Sequence, residues 1–493
     1  MRHQLSISIF ILSLFASTRE APAQPRTTQR SPIRAGSPLL YYESSLSQIV
    51  ETFALMREAN GGNPNAMHEL GYRYLLGRGI AADTAKAAEW ILKAANRGMA
   101  LAEYNAGILH MHALGVPWNP FEAFRWFRAA AEKDQPAALY IYGLLHTDGL
   151  LIKPDWRRAW SLVAEAASKG HETAKEMLVE FRRLGIDTLR MNSRAAVDTS
   201  PSLLYLQFGE TSNPRVSDTT LARELAREVP AERDLSANET TQQDSDASEL
   251  AWIERQAERG LPEAHVVLGR IHEKGIGVGK DLVRAAVHYQ RANRLDSPRA
   301  PALLAELTHR DDFIRDLTER TLTGDPDARY VWASLVAIGF DERIGISQAQ
   351  KMLEVNIATI PPHGNSLLEL GMWYATGRHV KQDPAMAMAL WRRADSAGLV
   401  EGRLRTLLAL LALDRETASR SAAYIRSEAD SGSVLAQAAL AFCLEQGIGM
   451  PVSQPEAASM YRKAAQRGSQ MAYLNLRRMY DALRPVSEEF RIE

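Results

Sequence analysis

Apolar and small residues return along this chain with two nested periods. The short one is helical. Ala66, Leu70, Gly71 and Tyr74 fall on one helix face, and after a bend Ala87, Trp90, Ile91, Ala94 and Ala95 fall on another. The long one is 36 residues: Ala66, Ala102, Ala138 and Ala174 follow it, as do Gly71, Gly107 and Gly143. Ala94–Ala95, Ala130–Ala131 and Ala166–Ala167 keep the same spacing. The polar residues Asp83, Asn119 and Asp155 keep it too, each just ahead of a second apolar run, where a helix N-cap belongs. Gly77 and Gly79 end the first run and Gly98 ends the second. The pattern predicts a helix, a glycine bend and a second helix per unit. A period of this length means supersecondary units stacked in series.

The frame survives beyond the regular block. Counted from Gly269, the bend is Gly275 and Gly277, the cap Asp281, the small residue Ala285 and the aromatic Tyr289. Counted from Gly371, the same offsets give Gly377, Asp383, Ala387, Trp391 and Gly398. Counted from Ala441, they give Gly447, Gly449, Ser453, Ala457, Tyr461 and Gly468. Six units share one frame without a gap inside any of them, and weaker units lie near Ala305, Ala333 and Leu407.

The run Leu70-Gly71-x-x-Tyr74-x-x-Gly77-x-Gly79, then Ala87-Ala88-x-Trp90-x-x-Lys93-Ala94-Ala95-x-x-Gly98, resembles the Sel-one-like repeat (SLR), a member of the tetratricopeptide-like class of helical hairpins. The best copies start at Ala66, Ala102, Ala264 and Ala436. Asp134 and Asp296 depart from the pattern by replacing the closing glycine, and Leu162 replaces the aromatic, with Trp160 two places earlier. The resemblance implies an all-α helix-turn-helix repeat solenoid, a tetratricopeptide-like superhelix, that binds other proteins. In hairpin repeats of this class the first helices usually line the binding surface. The positions after the shared small residue are then expected to face outward: Glu69, Asn105 and Ile141 in one array, and Val267, Glu369 and Ala439 in another. Trp90, Trp126, Tyr289 and Trp391, on the second helices, are assigned to packing.

Organisation follows from composition along the chain. Arg2 and His3 precede an apolar run from Leu5 to Phe15, and Ala21 and Ala23 form an Ala-x-Ala signal. Residues 1–23 therefore read as a signal peptide cut before Gln24, which predicts a periplasmic or secreted protein. The apolar run is too short to span a bilayer as a helix, so no membrane span is expected in the mature chain. Residues 24–45, rich in Pro, Arg, Ser and Thr, read as a flexible leader, and Leu46 to Ala59 as a capping helix. The first array covers residues 46–186. Residues 187–247 lose the pattern and read as a low-complexity linker, with an apolar island at Leu203-Leu204-Tyr205-Leu206. The second array covers residues 248–493.

The overall charge of this 493-residue chain is −1, so no global field favours nucleic acid. Its single cysteine, Cys443, excludes an intramolecular disulfide and sits on a small, apolar helix face, which suits a core position. Gly275-x-Gly277-x-Gly279-Lys280 looks like a phosphate loop but lacks the preceding strand and the Gly-Lys-Ser/Thr ending. His110, His146 and His272 hold the place of Tyr74 and Tyr374, with Asp148 the best-placed carboxylate nearby. A metal needs three or four ligands, so a flat, polar-tipped filler is the favoured reading. No catalytic or cofactor motif is present, and none is assigned. Trp118 and Trp156 fall at bends, outside the repeat's aromatic positions; they suit either binding anchors or loop packing. The expectation is an exported, non-enzymatic scaffold for protein partners in the bacterial envelope. The resemblance adds periplasmic regulation of signalling or exopolysaccharide secretion as its setting. Two alternatives stay open: an envelope enzyme acting on cell wall or a beta-lactam, and a secreted effector binding host proteins.

Overall fold

The computed structural model describes residues 51–183, 242–411 and 415–492. Among them the regular structure is helical throughout. Residues 51–60 are helical and lead into α1 (Pro64–Leu76), α2 (Thr84–Ala95), α3 (Ala100–His112), α4 (Pro120–Ala131), α5 (Pro136–Leu145), α6 (Trp156–Ser168) and α7 (Glu172–Arg183). The chain is described again from α8 (Gln242–Glu258), followed by α9 (Pro262–Lys274), α10 (Leu282–Arg294), α11 (Ala300–Thr308) and α12 (Asp311–Thr323). Next come α13 (Pro326–Ile338), α14 (Ile346–Ile357), α15 (Gly364–Thr376), α16 (Pro384–Ser396) and α17 (Val400–Leu410). The last are α18 (Arg415–Asp430), α19 (Val434–Gln446), α20 (Gln454–Gln466) and α21 (Gln470–Asp481), with a short 3-10 turn at Glu488–Phe490. The signal peptide, the leader and nearly all of the expected linker lie outside the described residues. At the linker's end, α8 already begins at Gln242.

The local signals act where the sequence places them. The Asp83 carboxylate accepts from the backbone N–H of Lys86, and Asn119 accepts from Phe121 and Glu122. Asp155, Asp281 and Asp383 cap α6, α10 and α16 in the same way, satisfying a donor that the helix start leaves without a partner. Ser453 stands at the same position but makes no side-chain cap bond. Helix α1 ends at Gly77, whose φ of +70° is open to glycine at little cost. Within each compact unit, consecutive helices pack as hairpins, and each hairpin packs on the next.

The shared first-helix glycine sets how closely a hairpin closes. A Cβ on Gly107 would lie 2.6 Å from the Phe127 ring, and one on Gly143 would lie 2.9 Å from the Val163 side chain. Glycine is therefore needed for contact, as the frame predicts. Tyr289, Trp391 and Tyr461 are fully buried in second helices. Trp90 and Trp126 are partial exceptions: both are half-buried, and the Lys93 ammonium lies 4.2 Å over the Trp90 ring.

The chain forms two compact units. One contains the described residues up to 183 together with the C-terminal residues from Arg477 on. The other contains the described residues from 242 to Leu476. Helix α21 thus begins in the second unit and ends in the first.

Candidate partner-binding surfaces

In the first array the expected surface positions differ in how free they are. Glu69 is exposed and pairs with Arg73 on its own helix at 3.1 Å. Asn105 is half-buried, its amide 2.7 Å from Nε2 of His68 in the preceding first helix. Ile141 is half-buried. These three line up along successive first helices with part of each side chain open to solvent.

In the second array the outward-facing expectation fails. Val267, Glu369 and Ala439 are 1%, 2% and 3% exposed. Glu369 lies in an interior of paired charges. The Arg294 guanidinium, at the end of α10, reaches both carboxylate oxygens of Glu369 on α15, with its Nε donating at 2.7 Å. Trp373 Nε1 donates to the same carboxylate at 2.8 Å. Glu401 on α17 lies 2.6 Å from Arg291 and 2.6 Å from Arg405. Burial pushes the Glu401 carboxyl up, but the two guanidinium groups outweigh it and hold it below the ordinary glutamate range. A buried charge with full partners is tolerated and one without is costly, so these residues belong to the fold.

The two tryptophans separate as well. Trp156 is half-buried, edge-on to Phe181 with ring centres 6.4 Å apart. Trp118 is buried at 8% exposure, edge-on to Tyr480 of α21 at 5.6 Å, so it packs and is not presented to solvent. Its cover belongs to a C-terminal segment that the repeat frame does not reveal. Phe490 is fully buried, edge-on to Phe121 at 5.0 Å and to Phe124 at 5.5 Å. The Arg125 guanidinium sits 5.5 Å over the Phe490 ring, and Arg128 pairs with Glu489. Arg484 donates to the backbone carbonyls of Leu150 at 2.7 Å and Leu151 at 3.1 Å.

The histidines are packing residues. His146 lies against Tyr142 at 4.8 Å and Phe124 at 6.2 Å, and burial lowers its pKa. His110 and His272 are half-buried, with pKa values lowered first by burial. His272 also stacks on His288 at 5.4 Å, and His288 Nδ1 is 3.2 Å from Nδ1 of His265. Burial drives His288 down to about 3. Asp148 accepts from the Leu150 N–H. Among the described residues, no group of three or more His, Cys, Asp or Glu side chains is arranged to hold a metal ion. Lys280, in the glycine-rich bend, lies 3.6 Å from Asp312. Cys443 is fully buried in α19, and burial raises its thiol to about 12, as befits a core residue. No helix among the described residues is long and apolar enough to cross a membrane.

The helical hairpins, their glycine-closed contacts and their serial stacking define a repeat solenoid. The family model of the Sel1 repeat matches residues 64–99, 100–135, 136–171, 262–297, 365–398 and 434–469. The chain is a Sel1 repeat protein with six such repeats, three in each array. Among solved structures, it is similar to a protective antigen of uropathogenic Escherichia coli strains displaying an SLR fold. The identity is 20%, the match covers 86% of this chain and 81% of that one, and the TM-score is 0.29. It is also similar to a Sel1 repeat protein from Oxalobacter formigenes, at 29% identity over 26% of this chain and 98% of that one, with a TM-score of 0.26. No curated protein matches the chain.

Proposed function

We propose that this protein is an exported scaffold that holds other proteins in the bacterial envelope, in the service of signalling or exopolysaccharide secretion. Sel1 repeats are generally non-catalytic and mediate protein–protein interaction, which supports the scaffold reading. One observation carries its placement on the molecule. Glu69, Asn105 and Ile141 succeed one another on the first helices of the first array, partly open and in register. A stacked array builds an extended surface from such corresponding residues. Export rests on the sequence of the first 23 residues, with its short apolar run and its Ala-x-Ala signal.

Two measurements test the reading. Crosslinking in intact cells, followed by capture of the protein from the periplasmic fraction, should recover a specific partner. Glu69→Arg and Asn105→Arg should lose that partner while helicity is unchanged. Recovery that is indifferent to both substitutions removes the first-helix surface from the proposal. Sequencing of the mature protein should begin at Gln24. An intact Met1 on protein found in the cytosol overturns export.

A further inference from the structure

The contact between neighbouring repeats is made the same way in two places and differently in a third. After α3, the bend Leu114-Gly115-Val116 packs on Ala88 and Ile91 of the preceding second helix. A Cβ on Gly115 would collide with the Thr84 carbonyl and touch the Ala88 methyl. Gly449 makes the same approach near the end of the second array: its Cβ would lie 2.5 Å from the Ala418 carbonyl oxygen and 2.9 Å from the Ala422 methyl. Small residues on both sides let these bends close directly on the helix before them.

One period on from Gly115, the bend residue is Leu151, and Phe121 and Phe124 stand where the earlier helix has Ala85 and Ala88. Neither side of this contact is small. The C-terminal segment lies here. Phe490 meets Phe121 and Phe124 with ring edges, under the Arg125 guanidinium. Glu489 pairs with Arg128, one turn further along α4, and Arg484 binds the Leu150 and Leu151 carbonyls. Between these anchors the segment stands away from the protein, for Val486 is 92% exposed. A buried aromatic anchor, an ionic rim and hydrogen bonds to backbone are the means by which folded surfaces hold a short peptide.

We propose that the Phe121–Phe124–Leu151 slot is a second docking site, which takes from a partner protein a short segment that turns at an aromatic residue placed directly after an acidic one, as the 3-10 turn Glu488–Phe490 does, and that the chain's own residues 484–492 are its built-in occupant. The proposal rests on the scaffold reading and adds a site away from the first-helix surface. Occupation in cis keeps the slot closed until a competing segment displaces two anchors and a weakly held stretch between them.

The probe is a fluorescent peptide with the sequence of residues 484–492. Full-length protein carrying Phe490→Ala and Glu489→Ala should bind it, and wild-type protein should bind it at least about tenfold more weakly because its slot is filled. A peptide with Phe490→Ala should lose at least about tenfold in affinity for the variant. A variant with wild-type helicity that binds no peptide overturns the proposal, as does wild-type protein that binds as well as the variant. Should the variant fail to fold, hydrogen exchange on wild-type protein decides. Excess peptide should speed exchange at residues 486–492, and unchanged exchange makes the segment a permanent clasp. Loss of the partner by Glu69→Arg, together with no peptide binding, keeps the scaffold reading and removes this one.

Discussion

Glu69 and Glu369 occupy the same repeat position and meet opposite fates. Glu69 pairs on the surface with Arg73 of its own helix, whereas Glu369 is buried against Arg294 and Trp373. Replacing Glu369 by Ala leaves the Arg294 guanidinium buried without its partner, and such losses cost about 3–5 kcal/mol. Exposed Glu69→Ala should stay within about 0.5 kcal/mol of wild type. Urea unfolding of the two variants checks the contrast, and equal midpoints would mean that Glu369 is not held as described. Gly107→Leu belongs with the costly changes, because its side chain would enter the space of the Phe127 ring; overpacking of this kind costs about 1–3 kcal/mol. Gly107 is legible in the sequence because its reason is local and recurs in five of the six repeats. The burial of Glu369 is not, because it depends on Arg294, 75 residues earlier, and on no repeated position. Trp118 misleads for the same reason: its cover, Tyr480, lies far along the chain.

At the scale of elements, caps and bends are readable because each is decided within a few residues. The turns that replace the closing glycine are readable only as departures. Asp134 and Asp296 both take left-handed φ values, +63° and +73°. Asp134 reaches outward to Lys169, while Asp296 is turned to the start of α21, where its backbone carbonyl accepts from Gln470 and its carboxylate from the Met471 N–H. Burial raises the Asp296 carboxyl to about 7, against the lowering effect of that N–H. In the unfolded chain it titrates near 3.8. Below about pH 4 both states hold the proton and there is no penalty. As pH rises, the unfolded chain gives up its proton first, so stability falls from about pH 4 to about pH 7 and then levels off, by up to about 4 kcal/mol. Buried His288, held down at about 3, acts in the opposite sense and withdraws stability as pH falls below about 6.5. The two slopes overlap, so the test is a difference. Asparagine tolerates the left-handed backbone and cannot ionise. Asp296→Asn should gain on wild type steadily between pH 4 and pH 7 in chemical unfolding. A difference that does not change with pH would show that the carboxyl is not buried as a neutral acid.

At the scale of the whole molecule, the number of units and their hairpin form are legible, since stacking repeats one solution. The membership of the C-terminal segment is not. The pattern reads Ala472 to Leu483 as a single helix that suits a terminal cap, and residues from Arg477 on pack with the first array. The signals that mark the site are substitutions inside the repeat frame, Leu151 for the bend glycine and Phe121 and Phe124 for alanines. They take on meaning only once Phe490 is seen against Phe121 and Phe124, and Arg484 on the Leu151 carbonyl. This arrangement has a consequence for cleavage. Residues 187–247 are polar and poor in apolar residues, a composition that cannot bury a core, and they carry arginines at 190, 194, 215, 223, 227 and 233. Brief trypsin treatment should therefore cut there first and leave two fragments. The larger one carries Tyr480, Arg484 and Phe490, whose partners Trp118, Phe121 and Leu150 are on the smaller one. The nicked protein should accordingly elute from a sizing column as one species, with both fragments in a single peak. With Arg484→Ala and Phe490→Ala combined, or with excess 484–492 peptide, the smaller fragment should elute later and alone. Separation of the unmodified fragments after nicking would mean that the C-terminal segment does not hold to the first array, and resistance to trypsin would mean that residues 187–247 are packed.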